Sequence, residues 1–150
     1  MLEQTRVMAA RPISGRISLA KINIGQPAAI GLLRISLAGV FFWFGILKVT
    51  GSSPVVEMFK NSLAFLGLPP YLQLLGMGEI GISLGLLVPR FSRFAAALMV
   101  VHLLCTLSLV FISPSLVFAP SFPVLTMDGE FLAKNLVLIS AGLTVIVKKT

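Results

Sequence analysis

Charge is what this chain has least of. Only 11% of its 150 residues are Asp, Glu, Lys or Arg, against about 25% in a typical soluble domain. So few charges cannot coat a water-facing globule of this size, which points to a membrane protein. Cysteine is nearly missing as well: Cys105 stands alone, which excludes an intrachain disulfide and a thiolate metal cluster. His102 is the only histidine, so no second one exists to complete a metal site or a haem pair. No nucleophile–base pair, metal ligand set or phosphate loop is legible. A stand-alone enzyme is therefore the weakest functional reading. No internal repeat or low-complexity tract interrupts the chain.

What the chain does have is apolar length. Hydrophobic residues make up 57% of it, and the mean hydropathy is +1.01. Four apolar runs stand out, at about 28–47, 71–88, 94–113 and 130–147. At 1.5 Å per residue, about 20 residues cross a hydrocarbon core of about 30 Å. The second and fourth runs are slightly short, which local thinning or flanking anchors can accommodate. The expected fold class is all-α, a four-helix transmembrane bundle. A basic tail over 1–26 precedes a membrane domain over 27–150.

The net charge of +7 would fit nucleic acid if the basic residues formed one face. They cluster at the ends of apolar runs instead, so a nucleic-acid partner is not expected and the lipid bilayer is. Arg6, Arg11, Arg16 and Lys21 precede the first run, Arg90 and Arg93 separate the second from the third, and Lys148 and Lys149 follow the fourth. With four spans all of these fall on one side, and the positive-inside rule puts both termini in the cytoplasm. The first run is long and bulky ("GVFFWFGILKV") with no small-x-small site after it, so it reads as an uncleaved span.

Outside the spans, "SSPVVEMFKNSLAFLGLPP" predicts a short extracytoplasmic interfacial helix over about 54–66. Ser53 and Pro54 suit its start, and Gly67, Pro69 and Pro70 its end. The apolar, proline-rich 114–129 loop is expected to fold over the bundle mouth. Asp128 is the expected N-cap of the last span.

A few ionisable groups remain inside or at the edge of the spans. A mid-span charge costs about 2.5–3.5 kcal/mol on insertion scales and usually faces the bundle interior with a partner. Glu79 is the sole charge in "QLLGMGEIGISLGLLVP", roughly 12 Å below the outer end of its span by helix rise. Helical side chains lean toward their own N-terminus, so Glu79 on a descending span and Lys48 on an ascending one lean toward each other. Lys134 starts roughly 6 Å below the same surface. Lys48, Glu79 and Lys134 thus form the leading candidate cluster. Two readings stay open for it: an ion pair that fixes helix register, or a polar pocket that binds an anionic or quinone-like headgroup or relays protons. Arg34 and His102 are secondary polar candidates. Arg34 either snorkels to the inner headgroups or pairs with Glu79, and His102 reads as an interhelical hydrogen bond rather than a metal ligand. Gly81 and Gly85 make a GxxxG that permits close helix approach, and Gly76 and Gly78 flank Glu79.

The segments "LRISLAGVFFWFGILKVTG", "GMGEIGISLGLLV" and "EFLAKNLVLISAGL", in that order, resemble the DoxX/DoxD-like membrane proteins. The positions that carry the likeness are Gly45, Lys48, Glu79 and Lys134. The resemblance implies a four-helix bundle in the cytoplasmic membrane of a prokaryote and a link to redox chemistry. Some members of the family are subunits of thiosulfate:quinone oxidoreductase, and others associate with thiol or oxidant defence proteins. With no paired cysteines here, thiol–disulfide catalysis by this chain is not expected. The resemblance favours a non-catalytic membrane subunit or anchor serving redox partner subunits, with quinone as the one cofactor suggested. The alternative is a small transporter or channel for an anion or protons, acting as a homo-oligomer.

Overall fold

A computed structural model describes residues 25–53 and 69–148. The tail over 1–24 and the expected interfacial helix over 54–66 lie outside the described residues. Everything described is helix, turn or loop, apart from one isolated antiparallel bridge between Phe118 and Leu125. The elements are α1 (Gln26–Val49), α2 (Pro69–Leu87), α3 (Ser92–Leu107), α4 (Leu109–Ile112), α5 (Pro114–Val117) and α6 (Met127–Val147).

Three stretches are long and apolar enough to cross a membrane: Gln26–Val49, Ser92–Ile112 and Met127–Val147. The 19 residues of α2 form a shorter apolar helix. Large hydrophobic side chains lie exposed along all four long helices, among them Ile35, Trp43, Leu74, Leu84, Phe94, Val101 and Val137. That outward apolar coat is the inverse of a soluble protein's surface and matches a lipid environment.

Each helix starts and stops for a local reason. Pro27 occupies the first turn of α1, where its missing N–H costs nothing. The other end closes in a Schellman arrangement: Ser52 N donates to Leu47 O at 2.9 Å and Gly51 N to Lys48 O at 3.2 Å. Gly51 adopts φ 72°, which favours glycine. Helix α6 begins three residues before the expected point. Its N-cap is Thr126, not Asp128: Thr126 has extended backbone, and its Oγ1 accepts from Gly129 N at 3.0 Å. Asp128 already lies in the first turn, where with Glu130 it complements the helix dipole. The 114–129 segment folds back onto this end of α6. Thr126 Oγ1 donates to Leu116 O at 2.5 Å, and Val117 and Leu109 pack with Leu132.

Helix α1 runs antiparallel to α2, α2 to α3 and α3 to α6, and α6 returns to α1. The tightest crossing is α1 on α2. A Cβ on Gly45 would lie 2.8 Å from Gly76 O, and one on Gly76 2.7 Å from Gly45 O, so the backbones touch through paired glycines. The GxxxG expected on this helix plays a smaller part. Gly81 has nothing near it, and Gly85 meets Ala95 of α3. Gly142 performs the same service between α6 and α3, against Met99 and Val100. A single core of Leu37, Ala38, Phe41, Leu86, Ala96, Met99 and Val145 fills the half of the bundle near the start of α1. Toward the other end the seam between α1 and α6 is loosely packed, and a cavity occupies it.

Candidate functional site

The cavity holds about 470 Å³ and is walled by stripes from four helices. Val40, Phe41, Phe44 and Lys48 come from one face of α1, and Leu75 and Glu79 from successive turns of α2. Helix α3 supplies His102, Leu103 and Thr106. Helix α6 supplies Phe131, Lys134, Asn135 and Leu138, a spacing that marks a single helical face. The walls are mostly aliphatic and aromatic, with Lys48 and His102 meeting Glu79. Such an apolar pocket with a few convergent polar groups is the usual form of a small-molecule site.

Glu79 is almost fully buried, at 4% exposure. Its Oε1 accepts from Lys48 Nζ, an ion pair carried by the α1–α2 crossing. The same Oε1 lies 2.8 Å from His102 Nε2. A carboxylate has no proton to give, so Nε2 is the protonated nitrogen of His102. The edge of Phe41 meets the imidazole at a centroid distance of 6.0 Å, which helps hold the ring. Both donors therefore converge on one oxygen. Among the described residues, the other oxygen, Glu79 Oε2, is buried with no hydrogen-bond partner. The same holds for Asn135 Nδ2, a donor on a side chain 3% exposed. A buried polar atom without a partner costs about 1–3 kcal/mol, and more if charged. The two unpaired atoms, an acceptor and a donor, belong to residues that wall the same cavity.

Of the three leading sequence candidates, then, Lys48 and Glu79 meet, and Lys134 stands apart. Lys134 is exposed and lines the cavity from α6 rather than touching the carboxylate. One turn of α6 near its start is enough to leave the amine on the rim. His102, a secondary candidate, takes the place beside Glu79. Arg34 does neither of the two things expected of it. It is buried, and it donates from Nε to Leu86 O at 2.9 Å and from Nη2 to Leu87 O at 3.0 Å. These are last-turn carbonyls of α2, which have no partner within their own helix, so a side chain of α1 caps α2. Asn135 was not singled out by sequence reasoning. Its signal was an amide next to Lys134 in "EFLAKNLVLIS", four residues after Phe131. Among the described residues no group of three or more His, Cys, Asp or Glu side chains converges as a metal site would require.

A family model described as DoxX matches residues 29–112, more than half of the chain. No curated protein and no solved structure gives a significant match. The matched stretch contains Lys48, Glu79 and His102 and ends before α6, so Lys134 and Asn135 fall outside it.

Proposed function

Because the chain belongs to the DoxX family, we propose that it is a membrane subunit of a redox- or quinone-linked system, without catalysis of its own, that holds a ligand headgroup in the Glu79 cavity. In this reading α2 is the fourth span: its 19 residues reach about 28 Å at 1.5 Å per residue, close to the thickness of the hydrocarbon core. Residues 27–150 form the membrane domain, and the basic tail over 1–26 lies on the cytoplasmic side with the C-terminus. The charge asymmetry supports that orientation, since Arg90 in the α2–α3 turn and Arg93 in the first turn of α3 are exposed at the end of the bundle where α1 begins. A prokaryotic cytoplasmic membrane is the location the family resemblance implies.

The observation that carries the proposal is an apolar cavity whose wall residues Glu79 and Asn135 each keep a buried polar atom unpaired. A purely structural ion pair would be expected to have its remaining lone pairs satisfied and its surroundings filled. A quinone-type headgroup fits the donor set: Asn135 Nδ2 and the Lys134 ammonium can donate to ring oxygens, and Glu79 Oε2 can accept from a ring hydroxyl. When bound, such a group would supply two-electron redox capacity that no side chain here offers. The residues of the chain bind and orient it, and Lys48 keeps the carboxylate neutralised within the apolar bundle.

Native-level expression, purification in mild detergent and mass spectrometry of bound proteins and lipids test this reading. The expected result is a co-purifying redox subunit together with a retained ring-headed lipid that is lost in Leu138→Trp, which fills the cavity. A homo-oligomer carrying neither would overturn it in favour of transport. Flux in proteoliposomes, abolished by Glu79→Gln, would then establish that alternative.

A further inference from the structure

The unpaired atoms specify more than the presence of a ligand. Lys48 and Glu79 pair in the wall of the cavity, and among the described residues two buried atoms of its wall residues have no partner: an acceptor, Glu79 Oε2, and a donor, Asn135 Nδ2. An anionic headgroup brings acceptors alone and leaves Glu79 Oε2 without a donor. A cation would satisfy Oε2 but would compete with Lys48 and leave Asn135 unpaired. A neutral hydroxyl group both donates and accepts, and so matches the pair. The walls add a second feature: Phe41, Phe44 and Phe131 border the cavity, with Phe44 and Phe131 edge to face at a centroid distance of 5.6 Å. Phenyl rings in the wall can meet an aromatic guest in offset or edge-to-face contact.

Resting on the proposed function above, we infer that the cavity selects a hydroxylated aromatic ring, a phenol or hydroquinone, over the corresponding oxidised quinone. An oxidised quinone presents only carbonyl acceptors, so it can receive from Asn135 but leaves the buried Glu79 oxygen without a donor. Sites built to hydrogen-bond a hydroxyl discriminate strongly against analogues that lack it, because their own polar groups are then stranded. The bound couple is thereby biased toward its reduced form, as expected of a subunit that collects or stores the reduced carrier.

The test uses the full chain in nanodiscs of phosphatidylethanolamine and phosphatidylglycerol, under anaerobic calorimetry. The probes are a short-chain 1,4-hydroquinone, its quinone, and its dimethyl ether, which keeps the ring and the acceptors but has no donor. The hydroquinone is expected to bind at least about tenfold more tightly than either of the others. In Glu79→Gln the carboxamide offers a donor, and the ratio of quinone to hydroquinone affinity should rise to about one or above. Asn135→Leu keeps Glu79 intact and serves if the first variant does not fold: all three affinities fall, while the order of hydroquinone over ether persists. Equal binding of the three probes to the wild-type chain would overturn the selectivity and leave the ligand cavity standing. Absence of binding by all three would overturn the ring-headed ligand itself.

Discussion

Two buried cations on α1 have opposite surroundings. Arg34 and Lys48 lie fourteen positions apart, about 21 Å along the helix axis and on nearly the same face. Around Arg34 no buried side-chain polar atom is left unpaired among the described residues: the guanidinium donates to Leu86 O and Leu87 O, and Ser83 Oγ donates to Ala38 O at 2.7 Å. Leu37, Leu86, Ala96 and Val145 close the space between them. Around Lys48 the packing opens into a cavity, and Glu79 and Asn135 each keep a buried atom unpaired. A buried charge is thus not evidence of function by itself. The residual hydrogen-bonding capacity around it, and the space beside it, separate the two cases.

Substitutions can break that contrast. The largest effect is expected from Glu79→Leu, which strands the Lys48 ammonium in the bundle: about 3–5 kcal/mol of stability is lost, measured by unfolding in mixed micelles. If stability were unchanged, the ion pair would contribute nothing to either region. Gly45→Val drives a side chain into Gly76 O and Ile80 and should cost about 1–3 kcal/mol, with cavity geometry disturbed as α1 and α2 separate. Arg34→Met sharpens the comparison most: removing two charge-assisted hydrogen bonds should cost about 2 kcal/mol of stability, while hydroquinone affinity stays at the wild-type value. A loss of affinity there would show that the two regions are not independent. His102→Phe should do the reverse, lowering stability by only about 1 kcal/mol but weakening ligand binding, since Glu79 Oε1 loses one of its two donors. The smallest effect is expected at Thr126→Ala, about 1 kcal/mol or less from the lost α6 cap, with no change at the cavity.

Much of this was legible in the sequence where the physics is one-dimensional. Apolar run lengths mark the long helices to within a few residues, and the opposed tilt of side chains on antiparallel helices is enough to aim Lys48 at Glu79. The rest depends on how faces rotate about their axes. Lys134 and Asn135 are adjacent in sequence, yet a rotation of about 100° per residue leaves the first on the rim and buries the second. A residue string offers Arg34 only lipid or carboxylate, because the carbonyls that end α2 and take its hydrogen bonds are invisible there. Gly81, Gly85 and Gly76 make the same point: glycines show that a close approach is possible, not which helix makes it.

The most direct measurement is a lipidic-phase crystal structure of the full chain grown with the short-chain hydroquinone. The account predicts ring density in the cavity, with a hydroxyl within about 3 Å of Glu79 Oε2 and Asn135 turned toward it. A cavity closed by Phe44 and Phe131, with Glu79 Oε2 hydrogen-bonded to another part of the chain, would contradict it.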